Sequence, residues 1–149
     1  MSIAGGLPRA VDRALAVDAT ALQVFVKSSR QWAGKPLEDE EAETFRSRVA
    51  EAGLTRQTLA HAGYLINLAS PDAAARRRSE SALREELERC ERLGIPFLVI
   101  HPGSHLGSGE EAGLARVARL LDRLLLPRKG GRRAAAGGGV SVLLETTAG

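Results

Sequence analysis

The sequence predicts an α/β fold with parallel strands, on three observations. Four short apolar segments, 21–26 (ALQVFV), 57–61 (QTLAH), 97–101 (FLVIH) and 140–145 (VSVLLE), have the length and the β-branched or aromatic content of buried strands. The stretches between them repeat their apolar residues at helical spacing. Helix and strand alternate throughout, and parallel strands require such crossovers, whereas antiparallel strands can turn back within two residues.

In chain order, the first helical stretch places Leu7, Val11 and Leu15 on one face, ahead of strand 21–26. The second sets Phe45, Val49 and Ala52 on one face and is closed by Gly53 before strand 57–61. The third carries Leu83, Leu87 and Cys90 on its apolar stripe. Its start reads as Ser70 at the N-cap with Pro71 at the first helical position, and its end as Gly94 followed by Pro96. Glu80/Arg84, Glu85/Arg89 and Glu88/Arg92 stand four apart along it, the spacing at which opposite charges support a helix. After strand 97–101, Ser108 and Glu111 have the spacing of a capping box for a fourth helix with Leu114, Val117, Leu121 and Leu124 inward. The segment 127–139 (PRKGGRRAAAGGG) has no period and reads as a flexible basic loop, whose cations would also suit a phosphate. Strand 140–145 follows.

A chain of 149 residues is long enough for one domain with its own core, so residues 1–149 read as a single domain. The pattern starts on a helix and stops just after a strand, as expected of a chain lacking a first strand and a C-terminal half. A complete (β/α)₈ barrel takes about 250 residues and eight strands, so these four strands suit either a partial barrel or an open sheet. Net charge is +3, and 18 of the 21 cations are Arg, mostly interleaved with Glu along the helices, which describes solvated helix faces more than a polyanion site. The N-terminus lacks a basic-then-apolar leader and no apolar run would cross a bilayer, so the expected compartment is the cytoplasm, without membrane attachment. The single cysteine, Cys90, rules out an internal disulfide and Cys-rich zinc motifs, and reads as a small core residue.

Three strands end in a metal-type ligand: His61, His101 and Glu145. In parallel α/β architectures the carboxyl ends of the strands share one rim and carry the reactive groups. Two imidazoles and a carboxylate form a catalytic zinc set with positions open to water. Singly, each is equally a polar cap on a strand; it is their recurrence at three ends that favours a metal. Pro102-Gly103-Ser104 makes the sharp exit a strand needs at that rim, and His105 beyond it reads as a hydrogen-bond partner of a ligand or as a substrate contact. Two other rim loops carry Arg30, Gln31 and Trp32, and Tyr64 and Leu65. Cations and aromatics together suit nucleic acid, while Trp32 and Tyr64 could equally pack beneath their own loops.

Six segments in order, SIAGGL, FVKSSRQW, HAGYLINLASP, RCERLGI, HPGSH and LETTAG, resemble the endonuclease IV family of apurinic/apyrimidinic endonucleases along essentially the whole chain. The resemblance implies a TIM-barrel DNA repair hydrolase with three zinc ions, which cuts the phosphodiester 5′ to an abasic nucleotide in double-stranded DNA and leaves a 3′-hydroxyl. It implies that His61, His101 and Glu145 hold one zinc, with Glu145 bridging to a second. It also implies that Arg30 enters the bent duplex and that Tyr64 and Leu65 wedge beside the flipped-out abasic sugar; on their rim positions Gln31, Trp32 and Ser104 are expected as further DNA contacts.

Departures from the family pattern shape what to expect of this chain. The Gly-x-His-x-Ser strand is missing, Ala62-Gly63 stands where the family has Asp-Ser, and the further His, Asp and Glu ligands of later strands are absent. One zinc site at most is complete here. Weak or absent activity alone is expected, and a complementary C-terminal fragment would supply the rest. Two rival readings are a metal-dependent sugar isomerase or epimerase on a related barrel, and a non-catalytic fragment that binds zinc or DNA.

Overall fold

The computed structural model describes residues 1–126 and 139–146. Among these, the elements run α1 (Pro8–Leu15), β1 (Leu22–Val24), α2 (Asp39–Glu51), β2 (Thr58–His61), α3 (Ala73–Leu93), β3 (Phe97–Ile100), α4 (Glu110–Leu125) and β4 (Ser141–Leu144). The strands form one parallel sheet in the order β1-β2-β3-β4, without the reversal of order that marks a doubly wound sheet. Successive helices pack on one another, α1 on α2, α2 on α3 and α3 on α4, as in the outer layer of a barrel. The expected partial (β/α)₈ arrangement is therefore present.

Register decides which side chains share a face. His61 pairs with Val99, and Val99 with Leu143. Side chains alternate along a strand, so residues two further on return to the same face. His61, His101 and Glu145 thus share a face with Phe25, Leu59 and Phe97. The opposite face, formed by Leu22, Val24, Thr58, Ala60, Leu98 and Ile100, is fully buried beneath the helices. Phe45, Leu83, Leu87, Leu120 and Leu124 close that core. Cys90 lies within it, with no exposed surface, as expected.

The strands are shorter than the apolar segments. β1 stops at Val24 although the apolar segment runs to 26; beyond the strand the Val26 carbonyl accepts the Arg89 Nε–H of α3 at 2.9 Å and so is satisfied outside the ladder. Val26 remains buried all the same.

Helix faces and caps differ from expectation in detail. In α1 the buried residues are Ala10, Val11 and Ala14, and Leu15 is exposed. In α4 the buried stripe is Gly113, Val117, Leu120 and Leu124, which leaves Leu114 exposed. The α3 cap is Asp72, whose carboxylate accepts the Ala75 N–H at 2.6 Å; Ser70 is buried just ahead of it and Pro71 precedes the cap. Ser108 caps nothing. Its hydroxyl donates to the His105 carbonyl at 2.6 Å, and Gly109 takes the cap position of α4. Gly94 ends α3 in the left-handed conformation, φ +67°, as its sequence position predicts. Glu80/Arg84 and Glu85/Arg89 approach to 3.8 and 3.6 Å, whereas Arg92 turns to the Leu37 carbonyl and Asp39. The 127–139 loop lies outside the described residues except for Gly139.

Candidate metal centre

The two histidines and Glu145 leave their strands at the carboxyl rim, where the sheet hands the chain to its loops. Their nearest ligand atoms all lie within 4.8 Å of one another. His61 Nε2 is 3.2 Å and His101 Nε2 3.6 Å from the same oxygen, Glu145 Oε2. Each ring is oriented from behind by main chain. His61 Nδ1 donates to the Ala62 carbonyl at 2.7 Å, and His101 Nδ1 donates to the Glu145 carbonyl at 3.1 Å. A ring with its proton on Nδ1 presents the Nε2 lone pair, so both imidazoles aim an acceptor at one carboxylate oxygen. Three acceptors converging without a proton between them repel unless a cation sits among them. The donor set therefore fits a divalent metal held by two imidazoles and a carboxylate.

The walls of the site are apolar and polar by turns. Phe25 meets His61 edge-on at 5.6 Å between ring centroids, and Tyr64 lies 5.4 Å from Phe25 and 5.8 Å from His61. His61 is buried, whereas His101 and Glu145 are open to solvent from one side. An open groove runs from there between Tyr64, Asn67, Pro102, Gly103, Ser104 and Thr146.

The Pro102-Gly103-Ser104 turn is clamped by Asn67. The Asn67 side chain donates Nδ2–H to the Ser104 carbonyl at 3.0 Å, and its Oδ1 accepts the N–H groups of Ser104 and Ala69 at 3.1 and 3.0 Å. Gly103 has φ +98°, and a Cβ there would lie 2.1 Å from Asn67 Oδ1. Only glycine fits.

The other expected site residues fall into two groups. Arg30, Gln31, Tyr64 and Leu65 are exposed on neighbouring loops, and the loops are joined by a bond from Tyr64 N–H to the Ser29 carbonyl at 3.1 Å. Ser104 is exposed on the groove. Trp32 instead packs half-buried against the core, with the Arg78 guanidinium 5.3 Å above its ring. His105 does not join the ligand group: its Cβ sits against Gly113 of α4, and its Nδ1 is buried without a hydrogen-bond partner.

Two residues that matter here were not singled out in the sequence. Asn67 gave no signal by itself. Glu86 did, because it stands three residues after Leu83 on the apolar stripe of α3, where an acid is unexpected unless it is paired.

Residues 11–149 match the family model described as xylose isomerase-like TIM barrel. The chain belongs to the xylose isomerase-like TIM-barrel family. The curated relatives it resembles carry the name probable endonuclease 4. It is 46% identical to a probable endonuclease 4 of Chloroflexus aurantiacus over the whole of this chain and 50% of that protein. It is likewise 46% identical to a probable endonuclease 4 of Geobacter sulfurreducens, again over the whole chain and 48% of the relative. Among solved structures, endonuclease IV from Thermus thermophilus superposes with a TM-score of 0.72 at 31% identity, over 97% of this chain and 60% of that one. The endonuclease IV resemblance read from the six segments is thus matched by both sequence and fold. The chain spans about half the length of the curated relatives it matches.

Proposed function

We propose that this chain forms part of an endonuclease IV-type DNA repair enzyme, which hydrolyses the phosphodiester 5′ to an abasic site and leaves a 3′-hydroxyl. The observation that carries the reading is the convergence of His61, His101 and Glu145 at the carboxyl rim of the sheet, with their ligand atoms within 4.8 Å of one another. Zinc fits this donor set; bound there it would supply Lewis acidity toward a phosphate oxygen and ease the ionisation of water. Glu145 would serve both as ligand and as bridge toward a second ion. Arg30, Gln31, Tyr64 and Leu65, exposed beside the centre, would contact the duplex, with Trp32 holding its loop in place from beneath. Ser104 and the groove wall would meet the backbone, and His105 would act from beneath the same turn. Extrusion of the damaged nucleotide is least costly where no base is paired or stacked, so the lesion contributes selectivity.

Residues 1–149 would act as a single domain, in the cytoplasm and without a membrane partner. Among the described residues no helix is long and apolar enough to cross a membrane. A complementary C-terminal fragment would bring the remaining ligands.

The test uses a duplex with one tetrahydrofuran abasic analogue, the zinc-loaded chain, and the chain supplemented with the C-terminal half of a relative. Cleavage 5′ to the analogue, abolished by a chelator and by His101→Ala, is the expected result. Cleavage that survives His101→Ala would refute the assigned role.

A binding-only reading is favoured by one fact: the described residues contain one such group of ligands. It predicts one zinc per chain and duplex affinity without turnover even in the supplemented sample. Turnover of a ketose in place of DNA would favour the isomerase reading.

A further inference from the structure

Behind the two loops that flank the metal centre lies a buried charge cluster that takes no part in metal ligation. Lys27 is 5% exposed and Glu86 1%. Lys27 Nζ donates to the Trp32 carbonyl at 2.6 Å and to Glu85 Oε2 at 3.1 Å, and stands 3.6 Å from Glu86 Oε1. Glu86 accepts the Gly63 N–H on both oxygens, at 3.1 and 3.3 Å. Glu85 accepts the Gly34 N–H at 3.2 Å, and Arg89 reaches the Lys35 carbonyl at 2.8 Å. The cluster thus grips main chain of both the 28–35 loop and the 62–65 loop.

Sterics show how closely the loops sit on the charges. A Cβ on Gly34 would be 3.0 Å from Lys27 Cβ and 3.1 Å from Glu85 Oε1, and one on Gly63 would be 3.2 Å from Glu86 Oε1. A buried ion pair is a poor source of stability, since apolar residues of equal volume often do as well. Its strength is directional. Charged groups fixed to a rigid helix hold main-chain N–H and C=O groups at set distances, which apolar contacts cannot do.

We propose that the Lys27–Glu86 pair is a positioning element that locks the 28–35 loop to the 62–65 loop, and so sets the spacing between Arg30 and Gln31 on one side and Tyr64 and Leu65 on the other as they grip a duplex. Its ligand rests on the DNA reading above; the coupling of the loops does not.

A double-mutant cycle tests it above about pH 8, where the Glu86 carboxyl is ionised, with Lys27→Met, Glu86→Gln and the double variant in the full 149-residue chain. Three quantities are read: amide hydrogen exchange at Gly34, Gly63 and Tyr64, zinc affinity, and affinity for the tetrahydrofuran duplex. Each single substitution is expected to speed exchange in both loops, to weaken duplex binding about tenfold and to leave zinc affinity unchanged, with the double variant no worse than either single one. In Glu86→Gln the informative amide is Gly34, which Glu86 does not touch. Additive losses, or loosening confined to the loop whose own bond was cut, would overturn the proposal. If Lys27→Met fails to fold, exchange at Gly34 in Glu86→Gln decides alone. Loops that loosen together in a chain that binds no abasic duplex would support the coupling and remove the DNA reading instead.

Discussion

His61 and His101 reach one carboxylate oxygen through Nε2 because a main-chain carbonyl holds Nδ1 in each ring, so the backbone sets the tautomer before any ion arrives. Removing either ring should therefore cost metal binding steeply. We expect His61→Ala and His101→Ala each to weaken zinc at least about 100-fold by calorimetry, beyond what loss of a supporting hydrogen bond alone would give. Glu86 obeys a different logic. Burial pushes its carboxyl up to about 7 from an ordinary 4.5, against the opposing pull of Lys27 and the Gly63 N–H, while Glu85 adds to the rise. Between these two values the folded chain keeps a proton that the unfolded chain has released. Stability from this group is thus present at low pH and declines as pH rises through the window, by up to about 3 kcal/mol. Glu86→Gln cannot titrate, so the wild type should lose ground to it in urea midpoints between about pH 5 and about pH 8. A constant difference would show that the carboxyl ionises alike in both states.

The turns contribute as much as the helices at the scale of elements. Strand β3 leaves the sheet at His101 through a turn that only glycine can make, since Gly103 has φ +98° and no room for a Cβ beside Asn67. Gly103→Ala should cost about 3 kcal/mol in urea or thermal unfolding, from left-handed strain and displacement of the Asn67 clamp together. Because the same turn aims His101, zinc affinity should fall with stability. The helix ends show where sequence and structure part. Both Ser70 and Ser108 had the right neighbours for caps, yet Asp72 accepts the Ala75 N–H in the first turn of α3, and Ser108 bonds the His105 carbonyl and receives Arg116. Several polar residues within a few positions can satisfy the same donors, and tertiary contacts choose among them.

Taken whole, the molecule is a sheet covered by helices on one face, with its carboxyl rim carrying the candidate chemistry. Zinc bound only by the folded chain should stabilise it by about 2.7 kcal/mol at a hundredfold excess over Kd, an increase in Tm that a chelator reverses and His61→Ala abolishes. The alternation of segments was readable beforehand, as was the placing of His61, His101 and Glu145 at strand ends, because both follow from local periodicity and from where strands stop. What periodicity left out was long-range: Arg89 binding the Val26 carbonyl beyond the end of β1, Asn67 bracing a turn more than thirty residues away, and the packing of Trp32 on the core, one of the two readings its position allowed. Leu15 and Leu114 fit an apolar spacing but miss the packed face, since a helix with apolar residues over a wide arc does not specify its own rotation. The sealed position of Cys90 has a practical corollary. It is the sole thiol, lies fully inside, and burial raises its pKa far above the ordinary thiol range. A maleimide dye should therefore leave the native chain unlabelled and react only in molecules that have transiently come apart, so the labelling rate serves as a clock for opening, and a cysteine introduced at Gln31 or Leu65 would take up a fluorophore without background.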